Sequence, residues 1–243
     1  MLNSMCSNDF PLRLYVADTK APDDFYNRWY ALMPSSRKQK ADRLKNDVDR
    51  RRCIMAYALL VFAIDDLKAD QAISGLFDGM YTLPIEEGQD GKPFLSDAPV
   101  EFNISHSGER VIVAVSSAPV GCDVEKKSRY ALEIAKRFFS KEEYVYLGAI
   151  EDETLRSSEF TALWTLKESV VKCCGEGIRH PLDDFCLVDE KGNRKSEIRL
   201  KDCDTVFYVR EYESENGYHY SVCSLSEDME DEMRFVSWET ISK

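Results

Sequence analysis

The chain has 243 residues, 44% of them hydrophobic, which is enough for one large domain or two small ones. Acids outnumber bases 44 to 32 for a net charge of -12, which argues against bulk binding of DNA or RNA but leaves room for a local basic patch. The longest tidy apolar run, residues 57–64, is far short of the roughly 20 residues of a spanning helix, and MLNSMCSNDF lacks the basic and apolar regions of a signal peptide.

Taken in chain order, PLRLYVAD (11–18) reads as a strand, and Tyr26–Leu32 as a helical turn that stops near Pro34. From Ser35 to Leu67, Leu44, Val48, Arg51 or Arg52, Met55, Leu59 and Phe62 recur every three to four residues. That is the pattern of one or two amphipathic helices entering a buried segment at Cys53. Between Arg37 and Arg52 stand eight bases and three acids, a contrast with the acidic whole. This cluster is either a solvated helix face or an anion-binding surface. A short helix is expected at Gln71–Phe77, and residues 86–99 are turn-rich. EFNISHS starts a strand that turns at Gly108. RVIVAVSS is a second, well-buried strand ended by Pro119, and VGCDVE is a third.

In the second half, Ala131–Phe139 reads as helical. Ser140 and Glu143 form a capping box for the next helix, and Thr154–Cys174 holds a longer one ended by Gly175 and Gly177. FCLVDE, SEIRL, TVFYVREY and YHYSVCSL alternate as strands of an antiparallel sheet, separated by the turns EKGNRK and ESENG. Each half thus offers helices and a small sheet. The fold class expected is α+β, with two similar subdomains, residues 1–118 and 119–243, and a site at their interface. The acidic stretch SEDMEDE is expected to be exposed. Eight cysteines, at 6, 53, 122, 173, 174, 186, 203 and 223, include no C-x-x-C pair. They read as thiols of a reducing cytoplasm, and three histidines make a zinc site a poor expectation.

Three stretches carry chemistry. In VGCDVE, Asp123 and Glu125 lie two apart and so share one strand face, while Cys122 and Val124 turn towards packing. Such a pair is either a surface pair beside Lys126 and Lys127 or a hard-oxygen cation site. In FTALWTLKESVVK, Glu168 and Lys172 share a helix face four apart. They make either an exposed ion pair or, beside the DVE strand, a third oxygen ligand with a lysine for phosphate; Lys167 is a further candidate point charge. In FNISHSG, Ser105 and His106 do not form a hydrolase motif, since neighbours in a strand face opposite ways. His106 is either a phosphate donor at a strand rim or a satisfied structural histidine.

Together FNISHSG, VGCDVE and WTLKESVVK, with GKPFL and LEIAKRFFSKEEY, resemble the 4'-phosphopantetheinyl transferases of the longer, surfactin-synthetase-activating (Sfp-like) type. The resemblance runs from Arg37 to Leu182 and less closely beyond. It implies a pseudodimeric monomer that uses coenzyme A and Mg²⁺, or Mn²⁺, to place a phosphopantetheine arm on a serine of an acyl, peptidyl or aryl carrier protein. By the same resemblance Asp123, Glu125 and Glu168 match the metal-binding acids. Lys172, Lys167, Ser105 and His106 match contacts to the coenzyme A phosphates, and Asp123 lies against them. Arg37, Lys40 and Arg52 match the 3'-phosphate end, and Lys92 and Pro93 the adenine side. Glu143, with Lys172 and His106, falls among the catalytic positions, Glu143 as a proposed base. The departures are small: Cys122 replaces a branched apolar residue, and Arg37 a lysine. No nucleic-acid or membrane partner is implied. Lys136, Arg137 and Phe138 or Phe139 suggest a docking surface for the carrier. An idle coenzyme A-binding module and a Mg²⁺-dependent nucleotide hydrolase are the rival readings.

Overall fold

The computed structural model describes residues 9–70, 72–73, 82–88, 91–96, 98–127, 132–175 and 180–243. The first half holds β1 (Arg13–Asp18), α1 (Asp23–Leu32), α2 (Ser35–Arg43) and α3 (Asp47–Ala69). These are followed by β2 (Ile85–Glu87), β3 (Pro93–Leu95), β4 (Glu101–Ser107) and β5 (Arg110–Ser116). The second half holds β6 (Val120–Lys126), α4 (Leu132–Phe138), α5 (Lys141–Gly148), α6 (Glu153–Cys174), β7 (Glu197–Ile198), β8 (Phe207–Glu215) and β9 (Tyr218–Ser224). β10 (Arg234–Phe235) and α7 (Trp238–Ile241) close the chain. The helix expected at Gln71–Phe77 lies mostly outside the described residues, as does Gly177. Among the described residues no helix is long and apolar enough to cross a membrane.

Two four-stranded sheets form, ordered β10-β1-β5-β4 and β6-β9-β8-β7. Every pairing is antiparallel except β1 with β10, where the chain end returns to the first sheet. This is the expected α+β architecture of small antiparallel sheets with packed helices. The strand period explains the layers. Tyr15, Val111, Val113 and Val115 face the core under α1 and α3. Their strand neighbours Leu14, Val16, Ile112 and Ala114 meet Val120, Cys122, Val124, Tyr220 and Val222 in a second core between the two sheets. A third core packs Phe160, Leu163, Leu166 and Val170 of α6 on Val209 and Cys223. Strands buried on both faces read as continuous apolar runs, which is why RVIVAVSS does. Because Cys122 and Val124 take the inter-sheet side of β6, Asp123 and Glu125 must face α6.

Helix ends follow their local chemistry. The Asn46 side chain accepts the Val48 amide at the start of α3, and Asp152 accepts that of Leu155 at the start of α6. Ser140 and Glu143 form the capping box of α5, and Gly175 ends α6 in the left-handed region at φ 78°. One expected strand is absent: FCLVDE makes only an isolated bridge, Val188 with Arg194. Its backbone is satisfied elsewhere. Lys167 Nζ takes the carbonyls of Leu182 and Phe185, and Glu143 takes the amide of Leu187.

Helix α6 lies directly on β6. A β-carbon at Gly121 would stand 2.0 Å from the Ser169 carbonyl oxygen and 2.4 Å from the Cys173 amide nitrogen, both backbone atoms of the helix. Gly121→Ala should therefore lower unfolding stability by about 1–3 kcal/mol, as overpacking does. Urea denaturation checks this.

Candidate active site

β4 and β6 are edge strands of different sheets, and side chains join them. Asn103, Ser105 and Ser107 share one face of β4 by the strand period. Asn103 Oδ1 accepts the Cys122 amide at 3.0 Å. Ser105 Oγ donates to Asp123 Oδ1 at 2.7 Å, and Ser107 Oγ donates to Glu125 Oε2 at 2.8 Å. From α6, Lys172 Nζ reaches Asp123 Oδ1 at 2.5 Å and Ser105 Oγ at 3.0 Å.

A cleft of about 710 Å³ opens over this seam. Arg37, Lys40, Pro93, Ser105, His106, Asp123, Glu125, Glu168 and Lys172 all line it. Strands β3, β4 and β6 and helices α2 and α6, far apart in sequence, thus bring nine of the expected residues together. Two polar atoms there are buried without a hydrogen-bond partner, Asp123 Oδ2 and Arg37 Nε. Asp123 is 3% exposed and Arg37 5%. Buried groups left unmatched are costly, and these two face a cavity where a cation and an anion, respectively, would match them.

The charges perturb one another. Burial, then the Asp123 charge, raises the Glu168 carboxyl above its usual range. Burial also raises Glu125, against the Ser107 hydrogen bond. Burial opposes the Lys172 ammonium, but Asp123 outweighs it and the net direction is up. The cleft walls desolvate His106 and hold its imidazole below its usual range, with Arg52 and Lys172 adding to that. It is therefore neutral at pH 7 and able to donate one N–H.

The donor set of three carboxylates suits a hard cation such as Mg²⁺. The unmatched Asp123 Oδ2 fits such a role. Among the described residues, however, no three His, Cys, Asp or Glu side chains are already gathered tightly enough to hold an ion. In this arrangement Lys172 neutralises Asp123.

Four residues grouped with the site by sequence stand elsewhere, and their assignments are corrected. Glu143 and Lys167 form an ion pair at 2.8 Å with both side chains fully buried. Glu143 also accepts the Ser140 and Leu187 amides, so its carboxylate is held by three donors in the core and is not presented to the cleft. Lys167 spends its remaining protons on two carbonyls and lies over the Phe185 ring at 4.3 Å, out of reach of a phosphate. Arg52 does not line the cleft itself: its guanidinium is held by the Gly108 carbonyl and by Asp49 at the cleft edge. Lys92 Nζ is held by the Val120 carbonyl at 3.0 Å, although Pro93 beside it does line the cleft.

Sequence reasoning missed Trp164, Asp49, Cys53 and Asn103, which also line the cleft. Spacing holds the signal for three of them. Trp164 precedes Glu168 by one helical step of four, and Asp49 and Cys53 are likewise four apart on α3.

Two outcomes test these assignments. Glu143→Ala should destabilise the protein by about 3–5 kcal/mol, since it strands a buried lysine. A full loss of activity at unchanged stability would restore Glu143 as a base. Native Glu168 keeps its proton at a pH where the unfolded chain has released it. Folding stability therefore falls as pH rises through that interval and stays lowered above it. Glu168→Gln should raise the apo Tm at pH 7.5 by about 1–3 °C, and the gain should vanish near pH ~3, where both states are protonated. Thermal melts across pH read this directly.

Residues 119–223 match the family model of the 4'-phosphopantetheinyl transferase superfamily. The chain is 42% identical over 152 residues to the 4'-phosphopantetheinyl transferase Sfp of Bacillus subtilis (strain 168), which covers 62% of this chain and 67% of that protein. A second 4'-phosphopantetheinyl transferase of Bacillus subtilis is 32% identical over 216 residues, 88% of this chain and 92% of its own. The 4'-phosphopantetheinyl transferase psf-1 of Bacillus pumilus is 31% identical over 223 residues, 88% of each chain. With the cleft and these relatives in agreement along most of its length, the chain belongs to the 4'-phosphopantetheinyl transferase superfamily.

Proposed function

We propose that the chain transfers the 4'-phosphopantetheine arm of coenzyme A to a serine of an acyl, peptidyl or aryl carrier protein and releases adenosine 3',5'-bisphosphate. The observation that carries this reading is the cleft itself. It sets Asp123, with one buried oxygen unmatched, beside Lys172, and it sets Arg37, buried with its Nε unmatched, on the same cavity. Names of the relatives support the same chemistry.

Arg37 and Lys40 receive the 3'-phosphate end of the nucleotide. Ser105, neutral His106 and Lys172 face the diphosphate. Asp123, Glu125 and Glu168 would hold Mg²⁺, or Mn²⁺, which when bound neutralises diphosphate charge and polarises the phosphorus. The carrier serine oxygen forms a bond to the β-phosphorus as the bond to the departing bisphosphate breaks. Fixed cations that meet charge where it develops lower the barrier, and the cleft supplies orientation. With Glu143 sealed in the core, the serine proton passes to a carboxylate of the cleft.

The two subdomains, 1–118 and 119–243, would then hold the site between them, in a cytoplasmic monomer. Lys136, Arg137 and Phe138 supply the docking surface for an acidic carrier. Phe138 is exposed, with Arg137 over its ring at 5.0 Å. Phe139 is not part of it, since it is buried and stacked on Phe160 at 5.3 Å.

Intact-protein mass spectrometry of apo carriers, incubated with the chain, coenzyme A and Mg²⁺, tests the reading. One phosphopantetheine mass should be gained, and the gain should be lost with EDTA or with Asp123→Ala. Charge reversal at Lys136 and Arg137 should raise KM for the carrier by about 10-fold and leave KM for coenzyme A unchanged. Release of bisphosphate without carrier gain would favour a nucleotide hydrolase. Coenzyme A binding without turnover on any carrier would favour an idle binder.

A further inference from the structure

The two-residue turn between β4 and β5, Gly108–Glu109, is gripped from both halves of the molecule. From α3, Arg52 donates to the Gly108 carbonyl through Nε at 2.8 Å and Nη2 at 2.5 Å, and its Nη1 is tied to Asp49 at 2.8 Å. From β9, the Tyr218 phenol oxygen accepts the Glu109 amide at 2.9 Å. That phenol lies against the Gly108 α-carbon. A β-carbon there would stand 2.2 Å from Oη, and the residue has φ 55°. Space and backbone conformation both reserve the position for glycine. The Tyr218 ring is in turn buried and flanked by Arg110 at 5.6 Å and Lys126 at 5.7 Å.

A surface turn needs no such grip for stability alone. This one ends the strand that carries His106 and Ser107. Ser107 holds Glu125 at 2.8 Å and accepts the Lys126 amide at 3.2 Å. A slip of the turn would move His106 out of the cleft wall and release Glu125 in the same motion. We infer that Tyr218, with Arg52, is a positioning residue for the transfer reaction: it fixes the β4–β5 turn, and through Ser107 it aims Glu125. Neither residue lines the cleft, so both act through others. The inference rests on the proposed transferase function. It adds a residue of the second sheet to the machinery of a strand in the first.

Tyr218→Phe keeps the ring and removes the acceptor. Its Tm should stay within a few degrees of wild type. Amide hydrogen exchange across residues 106–110 should quicken. The kcat for carrier modification should fall by roughly 10-fold or more, since small misplacements of reacting groups are costly, while KM for the carrier stays unchanged. Mn²⁺ binding, followed by the EPR signal of the free ion, should weaken several-fold. Gly108→Ala should give the same pattern. The double variant should be less impaired than the product of the two, because the Tyr218→Phe ring lacks the oxygen that the new β-carbon strikes. Quickened exchange with wild-type kcat and Mn²⁺ affinity would reduce the clamp to a structural role and overturn the inference, as would unchanged exchange. A wild-type protein that modifies no carrier would overturn the proposed function instead, and the exchange and Mn²⁺ measurements would still decide the clamp.

Discussion

Everything at the cleft depends on a seam of three side chains. Asn103, Ser105 and Ser107 project from one face of an edge strand and take the place of a backbone ladder between two sheets. A ladder would have closed the sheets into a continuous wall. Hydroxyls instead stand off the neighbouring strand and end on its carboxylates. The same bonds that join the halves therefore aim the acids. They are also directional, so a shift of one sheet against the other would break the seam and disarm the site together. The apolar core between the sheets, from Leu14 and Ile112 to Cys122 and Tyr220, resists that shift without fixing any direction.

Helix α6 serves the two sides of this arrangement with adjacent residues. Glu168 and Lys172, one helical step of four apart, point with Trp164 into the cleft. Lys167 is rotated about 100° from Glu168 and points into the core. There it meets Glu143 and organises residues 182–187, which would otherwise have lacked partners for their backbone. The K-E pair in WTLKES is thus not one functional unit. Its lysine builds the second subdomain's core, and its glutamate lines the cleft.

This divided use explains what was legible in the sequence and what was not. Strand period alone placed Asp123 and Glu125 together and turned Cys122 away, and helix period placed Glu168 with Lys172. Those readings needed only local geometry. Resemblance grouped Lys167 and Glu143 with the site, because motifs record which residues matter and not which way they face. Arg52 and Lys92 were misplaced for a related reason. A basic cluster at 37–52 marks an anion-binding region, yet which arginine reaches the ligand depends on how α2 and α3 sit on the sheet. Arg37 lines the cleft, and Arg52 is one position off the Asp49–Cys53 face. FCLVDE failed as a strand because its alternation was real but its backbone bonds are split between a tight local turn, Asp189 with Asn193 and Leu187 with Lys195, and the distant side chains of Lys167 and Glu143.

The cleft is assembled against its own stability. Three carboxylates line it, two of them lifted above their usual range by burial, and the Nε of Arg37 is buried without a hydrogen-bond partner. Lys172 relieves only part of this, and it does so by occupying Asp123, the acid most suited to a cation. On the proposed function, an arriving diphosphate would offer Lys172 a competing partner, and Asp123 would lose its neutralising charge and become a stronger cation ligand. Anion and cation binding would then be coupled through one ammonium group. By linkage, each must strengthen the other by the same factor. A site that is half-satisfied alone and fully satisfied only when both ligands are present keeps its chemistry in check until the substrate has arrived.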